Sequence, residues 1–173
     1  MYKLREITRE DMRIVNCWRN KPQLISCLGA PFRFINLEVD NKWFDSYMSS
    51  RDNTVRCAIA DEEEMIIGLI SLTKIDPVHR SCTLHIMIGE EVNQNKGAGT
   101  YAVERMLQHA FNNLNLHRVE LDVLATNTRA IKLYEKVGFI REGILRKACF
   151  KNGEYVDFLH YAILDDEYMN KGP

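Results

Sequence analysis

Nine residues near the middle of the chain, Asn93-Gln94-Asn95-Lys96-Gly97-Ala98-Gly99-Thr100-Tyr101, have the composition of an anion site. Two glycines permit positive φ and leave no side chain between backbone and ligand. They stand directly ahead of an apolar-periodic stretch, so the free N–H groups and dipole of a helix N-terminus would face the same point. Lys96 can add a point charge, and Gln94 and Thr100 can donate hydrogen bonds. A pyrophosphate would be well served there. Two familiar phosphate loops can be tested against it. The pattern GxxxxGK[ST] is absent, because the lysine precedes Gly97. The dinucleotide pattern GxGxxG meets Ala102 at its third glycine, a tolerated variant, and Glu120 or Asp122 fits its acidic ribose contact only loosely. Taken alone, the loop reads as a glycine turn joining a strand to a helix.

The flanking elements bear that out. Leu84, Ile86 and Ile88 in the strand before the loop share one face, with His85 and Met87 on the other. Behind the loop, Val103, Met106, Leu107, Ala110, Phe111 and Leu114 form one helical stripe. Upstream, "YKLREI" reads as a strand, Thr8 with Asp11 opens a helix to about Asn20, and a loop with Pro22, Gly29 and Pro31 leads to a helix in "LEVDNKWFDSYM". "TVRCAIA" and "MIIGLISLTKI" read as strands around the charged "DEEE" turn. Downstream, "RVELDVL" is a strand, Asn127 caps a helix ending at Gly138, and Asn152-Gly153 marks a hairpin. The order β-α-α-β-β-β-α-β-α-β-β predicts one domain over 1–173, an α/β fold with a mixed sheet flanked by helices.

Bulk properties exclude several classes. The 173 residues carry a formal charge of -1, so no strong field draws nucleic acid or an anionic membrane. No run reaches the roughly 18 apolar residues of a membrane span. "MYKLREITRED" lacks the apolar stretch of a signal peptide, and five scattered cysteines without a CxxC pair suit reduced thiols in the cytoplasm. The five histidines have no metal-ligand spacing, so no metal is expected.

A second motif, Asn127-Thr128-Arg129-Ala130-Ile131-Lys132-Leu133-Tyr134-Glu135-Lys136-Val137-Gly138-Phe139, decides how the loop is read. The pair resembles the GNAT superfamily of acetyl-CoA-dependent N-acetyltransferases. That family carries [QR]-x-x-G-x-[GA], matched by Gln94, Gly97 and Gly99, and N-x-x-A-x-x-L-Y-x-x-x-G-F, matched at Asn127, Ala130, Leu133, Tyr134, Gly138 and Phe139. The resemblance implies a mostly antiparallel sheet whose fourth and fifth strands splay apart. It implies that Ile86, Met87 and Ile88 pair with the pantetheine arm of acetyl-CoA. Gln94, Asn95, Lys96, Gly97, Ala98, Gly99 and Thr100 would hold the pyrophosphate. Asn127 would contact the cofactor arm, and Tyr134 would sit near the thioester sulfur. Residues 54–164 would form the acetyl-CoA-binding core, and 1–53 the helical acceptor segment.

The chemistry such a site must supply is definite. An alkylamine with pKa about 10.4 is roughly one part in a thousand neutral at pH 7.4, a deficit of about 4 kcal/mol. A thiolate must also leave, and a phenol can protonate it. Tyr134 is the candidate acid; the plainer reading is a core tyrosine with a satisfied hydroxyl. Asp122, Glu120 and His85 are candidate bases, each with a structural alternative as a solvated strand residue or a hydrogen-bonded imidazole.

For the acceptor, "EG…FKNGEYVD" is similar to the RimJ/RimL and spermidine-acetyltransferase branch, while the Trp-Arg-Asn of the first helix is similar to amino-sugar N-acetyltransferases. Trp18, Arg19, Phe32 and Arg33 are candidate acceptor residues, with Trp43 in the same segment; helix packing is the alternative for the tryptophans. The expected acceptor is a small amine, an amino sugar or a polyamine. A ribosomal or other protein N-terminus is the alternative, and a non-catalytic acyl-CoA sensor is the rival of another class. A homodimer is expected by analogy with this branch.

Overall fold

A computed structural model describes residues 1–170. Strand β1 (Lys3–Glu6) is followed by helices α1 (Met12–Arg19), α2 (Pro22–Ser26) and α3 (Leu37–Ser49). Strands β2 (Val55–Ala60), β3 (Ile66–Asp76) and β4 (Ser81–Ile88) form a meander that leads to α4 (Ala98–Gln108). Then come β5 (Arg118–Leu124), α5 (Thr128–Val137), the hairpin β6 (Ile140–Lys151) and β7 (Glu154–Leu164), and a last short helix α6 (Asp165–Met169). The seven strands form one sheet in the order β1-β2-β3-β4-β5-β7-β6. Neighbours are antiparallel except β4 and β5, which run parallel and pair only from Ser81–Arg118 to Thr83–Glu120. Beyond Thr83 the two strands diverge, as the family resemblance implies.

Alternation along the strands builds a core on each side of the sheet. On one face Ile70, Leu72, Leu84, Leu121 and Ile163 pack with α4 and α5. On the other, Ala58, Ile66, Leu69 and Met87 pack with α1 and α3 around Met12, Val15 and Trp18. The predicted stripe of α4 is buried from Val103 to Phe111, although the helix widens over His109–Asn113, where the chain adds a residue to the turn.

Three details differ from the sequence reading. Asp11, not Thr8, anchors the entry to α1: its carboxylate accepts the Thr8 N–H at 2.8 Å and both ends of the Arg5 fork at 2.7 Å. Burial alone would raise the Asp11 pKa, but Arg5 and the Thr8 N–H outweigh it and leave it lowered. The expected loop after α1 contains α2, which starts on Pro22, where a missing N–H costs nothing. The chain also ends in α6, whose first turn carries Asp165, Asp166 and Glu167 against the helix dipole. The hairpin signal holds, with φ of 51° at Asn152 and 88° at Gly153. Among the described residues no helix is long and apolar enough to cross a membrane.

Candidate active site

Where β4 and β5 part, a cavity of about 850 Å³ opens through the sheet. Register explains what lines it. Arg56 pairs with Ser71, and Ser71 with His85, giving a polar row across β2, β3 and β4 on the α1–α3 face. Across the gap, Asp122 pairs with His160 on the same face. Tyr134, from α5 on the opposite face, reaches the same cavity only because the strands diverge.

The glycine loop forms one end of this cavity. Asn95 and Gly97 have φ of 60° and 89°, so successive N–H groups turn toward one concavity. The N–H groups of Asn95 through Thr100 donate to no acceptor among the described residues. Gly99 answers a different demand: a Cβ there would lie 2.7 Å from Leu133 Cδ1, so its absence lets α4 and α5 close on each other. Gln94 is held between Arg129, which donates to its Oε1, and the Ile88 carbonyl, to which its Nε2 donates at 3.4 Å. Gln94, Asn95, Gly97, Gly99 and Thr100 face the cavity, as do Ile86, Met87 and Ile88 on β4. Ala98 is buried under the helix, and Lys96 projects outside the cavity with its carbonyl accepting the Tyr2 hydroxyl at 3.1 Å.

Asn127 caps α5 as expected, accepting the Ala130 N–H at 3.1 Å. Its Nδ2 donates to the Cys27 carbonyl at 3.0 Å. The amide therefore ties α5 to the end of α2, a structural duty beside any contact with a bound ligand. Tyr134 is 7% exposed, its ring packed edge-on against Phe139 at 5.7 Å. Its hydroxyl has no hydrogen-bond partner among the described residues, and burial raises its pKa well above the usual phenol value. The alternative of a core tyrosine with a satisfied hydroxyl does not match this geometry. Cys57 also lines the cavity, with its thiol pushed up to about 11 by burial and then by Glu6.

The three candidate bases separate. Asp122 lines the cavity and its Oδ1 lies 2.7 Å from His160 Nδ1. His85 also lines it, 3.0 Å from Thr73 Oγ1. Although its ring opens on the cavity, desolvation lowers its pKa, helped by Arg56 and Lys74 and opposed by Asp122. Glu120 does not reach the cavity: it shares the strand face of Asp122 but accepts from Arg118 Nε at 3.2 Å, where β4 and β5 are still paired.

The acceptor candidates separate as well. Trp18 is 1% exposed and stands off the cavity wall; its Nε1 donates to Glu90 at 3.1 Å, and a Cβ on Gly89 would collide with its indole. It is a packing residue. Arg19 is on the wall, paired with the fully buried Asp40, which also accepts from Asn16 Nδ2 at 2.6 Å. Removing one partner of such a buried pair costs about 3–5 kcal/mol. Phe32 stacks edge-on against Phe34 at 5.1 Å, and neither it nor Arg33 faces the cavity, because their segment runs along the surface. Trp43, Arg56, Phe158 and the Asp122 partner His160 complete the picture. Of these, the sequence reading had named only Trp43. The missed signal for Arg56 was its place two residues before Ala58, on the inward face of a strand.

Among the described residues no group of three or more His, Cys, Asp or Glu side chains is arranged to hold a metal. Residues 2–140 match the acetyltransferase (GNAT) domain, and the chain belongs to that family. It is an N-acetyltransferase that draws on acetyl-CoA. Among curated proteins it is 33% identical over 171 residues to a spermidine N(1)-acetyltransferase of Vibrio cholerae, covering 97% of this chain and 95% of that one. The crystal structure of spermidine N-acetyltransferase from Vibrio cholerae in complex with CoA and spermine superposes with a TM-score of 0.91 at 30% identity, covering 98% of each chain. A dodecameric structure of spermidine N-acetyltransferase from the same organism gives a TM-score of 0.85 at 28% identity, covering 99% of this chain and 98% of that one.

Proposed function

We propose that the chain transfers the acetyl group of acetyl-CoA directly to a primary amine of a small molecule, within the slot between β4 and β5. The observation that carries this reading is the Tyr134 hydroxyl, on a buried ring, which has no hydrogen-bond partner among the described residues and opens on the cavity. The pyrophosphate would rest on the unpaired N–H groups of residues 95–100, with Gln94 and Arg129 beside it. The pantetheine arm would lie along the unpaired edge of β4 at Ile86–Ile88. The amine would approach from the α1–α3 face, so that residues 1–53 supply part of the acceptor wall. Asp122 with His160, or His85, would take its proton as it attacks the thioester carbonyl. The C–S bond then breaks, and Tyr134 donates its proton to the leaving thiolate and recovers one from solvent.

Direct attack is favoured over an acetyl-cysteine route by the Cys57 thiol, which stays protonated at neutral pH. The names of the relatives favour a polyamine acceptor, and a protein N-terminus is the less supported alternative, since the acceptor would have to enter a slot between two strands. The apolar side chains exposed on the edge strand β6, Ile140, Ile144 and Phe150, support self-association, and the expected homodimer is one such assembly. Two-substrate initial rates and the intact mass of protein incubated with acetyl-CoA alone test the mechanism. Intersecting double-reciprocal lines and an unmodified protein are expected. Parallel lines with an acetylated protein would refute direct attack.

A further inference from the structure

We infer that the acceptor amine also carries an anionic group, and that Arg56 receives it. This rests on reading the cavity as an acetyltransferase site; on the acceptor it departs from the polyamine that the relatives' names suggest, because of the charge of this chain's own wall.

Arg56 lies on β2, two strands from His85 in the polar row of the acceptor face. Its guanidinium carbon sits 4.4 Å from the centre of the Trp43 ring and 5.7 Å from that of Tyr47. Its Nε is buried without a hydrogen-bond partner, and no carboxylate pairs with the guanidinium among the described residues. Other arginines of this chain are matched: Arg5 with Asp11, Arg19 with Asp40, Arg118 with Glu142. A half-buried cation with idle donors costs free energy unless something supplies the missing partner. Trp43 and Tyr47 hold the cation by its π contacts and leave its N–H fork for a ligand.

The rest of the wall offers a second cation little: Arg19 is paired with Asp40, and Asp122, the one acidic residue lining the cavity among the described ones, is already bonded to His160. A bare polycation would meet Arg56 with no carboxylate free to offset the repulsion. An amine bearing a phosphate would place its anion on the Arg56 fork, a geometry suited to bidentate contact. The phosphate could belong to a sugar phosphate or to a nucleotide-linked sugar, with Trp43 beside it in either case.

Calorimetry on the CoA-loaded protein tests this without turnover, using glucosamine, glucosamine 6-phosphate, uridine-diphosphate-linked glucosamine and spermidine as probes. At least one phosphorylated amine is expected to bind about 10- to 100-fold more tightly than glucosamine and spermidine. Arg56→Gln should erase that margin, and Arg56→Lys should keep part of it, with CoA affinity and melting temperature unchanged in both. The response to the two phosphorylated probes distinguishes a sugar phosphate from a nucleotide. Tighter binding of spermidine, or a margin that survives Arg56→Gln, would overturn the inference. Because binding is measured with CoA, a failure of acetyl transfer would appear separately, as absent thiol release.

Discussion

Replacing Tyr134 by phenylalanine removes one oxygen and leaves the ring against Phe139 in place. Two consequences can be separated because the hydroxyl has no hydrogen-bond partner among the described residues. Stability should hold or rise slightly, since the ring stays packed and no hydrogen bond to a described residue is lost. Turnover should fall by the worth of a positioned general acid, about 10²- to 10⁴-fold, equivalent to roughly 3–5 kcal/mol of barrier. Acetyl-CoA should still bind, because the loop that would hold its pyrophosphate lies on α4. The assay is thiol release at saturating acetyl-CoA and amine, with KM for each substrate and a melting curve alongside. The raised phenol pKa keeps Tyr134 protonated across the neutral range, so its loss should lower the pH–rate profile without moving the limbs. An unchanged kcat would refute the assignment. A large drop in melting temperature would refute the claim that the hydroxyl is idle in the fold.

Two further outcomes follow from the same geometry. Gly99→Val puts branched carbon where a single Cβ already lies 2.7 Å from Leu133, so α4 and α5 must separate at a cost of about 1–3 kcal/mol; a lower melting temperature with a raised acetyl-CoA KM is expected. His85 has a folded pKa below its ordinary 6.5, so its contribution to stability is full above that pH and is lost as pH falls through the lowered folded value; melting temperatures of His85→Gln should lose part of the acid-side slope of the parent protein.

Legibility in the sequence tracked how local each cause is. Gly97, Gly99, Asn127 and Gly138 were readable because their reasons lie in turns, caps and one helix-to-helix contact at fixed spacing, whereas Tyr134 was singled out by the family resemblance. The splay of β4 and β5 was legible through family resemblance and not through any residue, since nothing in "CTLHIMIG" states that pairing stops after Thr83. Trp18 stayed open between acceptor wall and helix packing because an aromatic in the N-terminal segment looks the same in either place; burial beside Gly89 decided for packing. Glu120 and Asp122 share a strand face, yet only the second lies past the point of divergence. Phe32 and Arg33 were displaced by a surface path that no periodicity marks. Arg56 went unseen because its significance is an absence, the missing carboxylate, and absences need every neighbour in place.

The central claim is acetyl transfer from acetyl-CoA to a small amine in this cavity. The most direct measurement is thiol release from acetyl-CoA across a panel of amino sugars, phosphorylated and nucleotide-linked amino sugars, spermidine and N-terminal peptides, with the acetylated product identified by mass. Amine-dependent release is expected with a small-molecule amine, exceeding release with any peptide and suppressed in Tyr134→Phe. Acetyl-CoA binding without release on any amine would contradict it and leave an acyl-CoA sensor in its place.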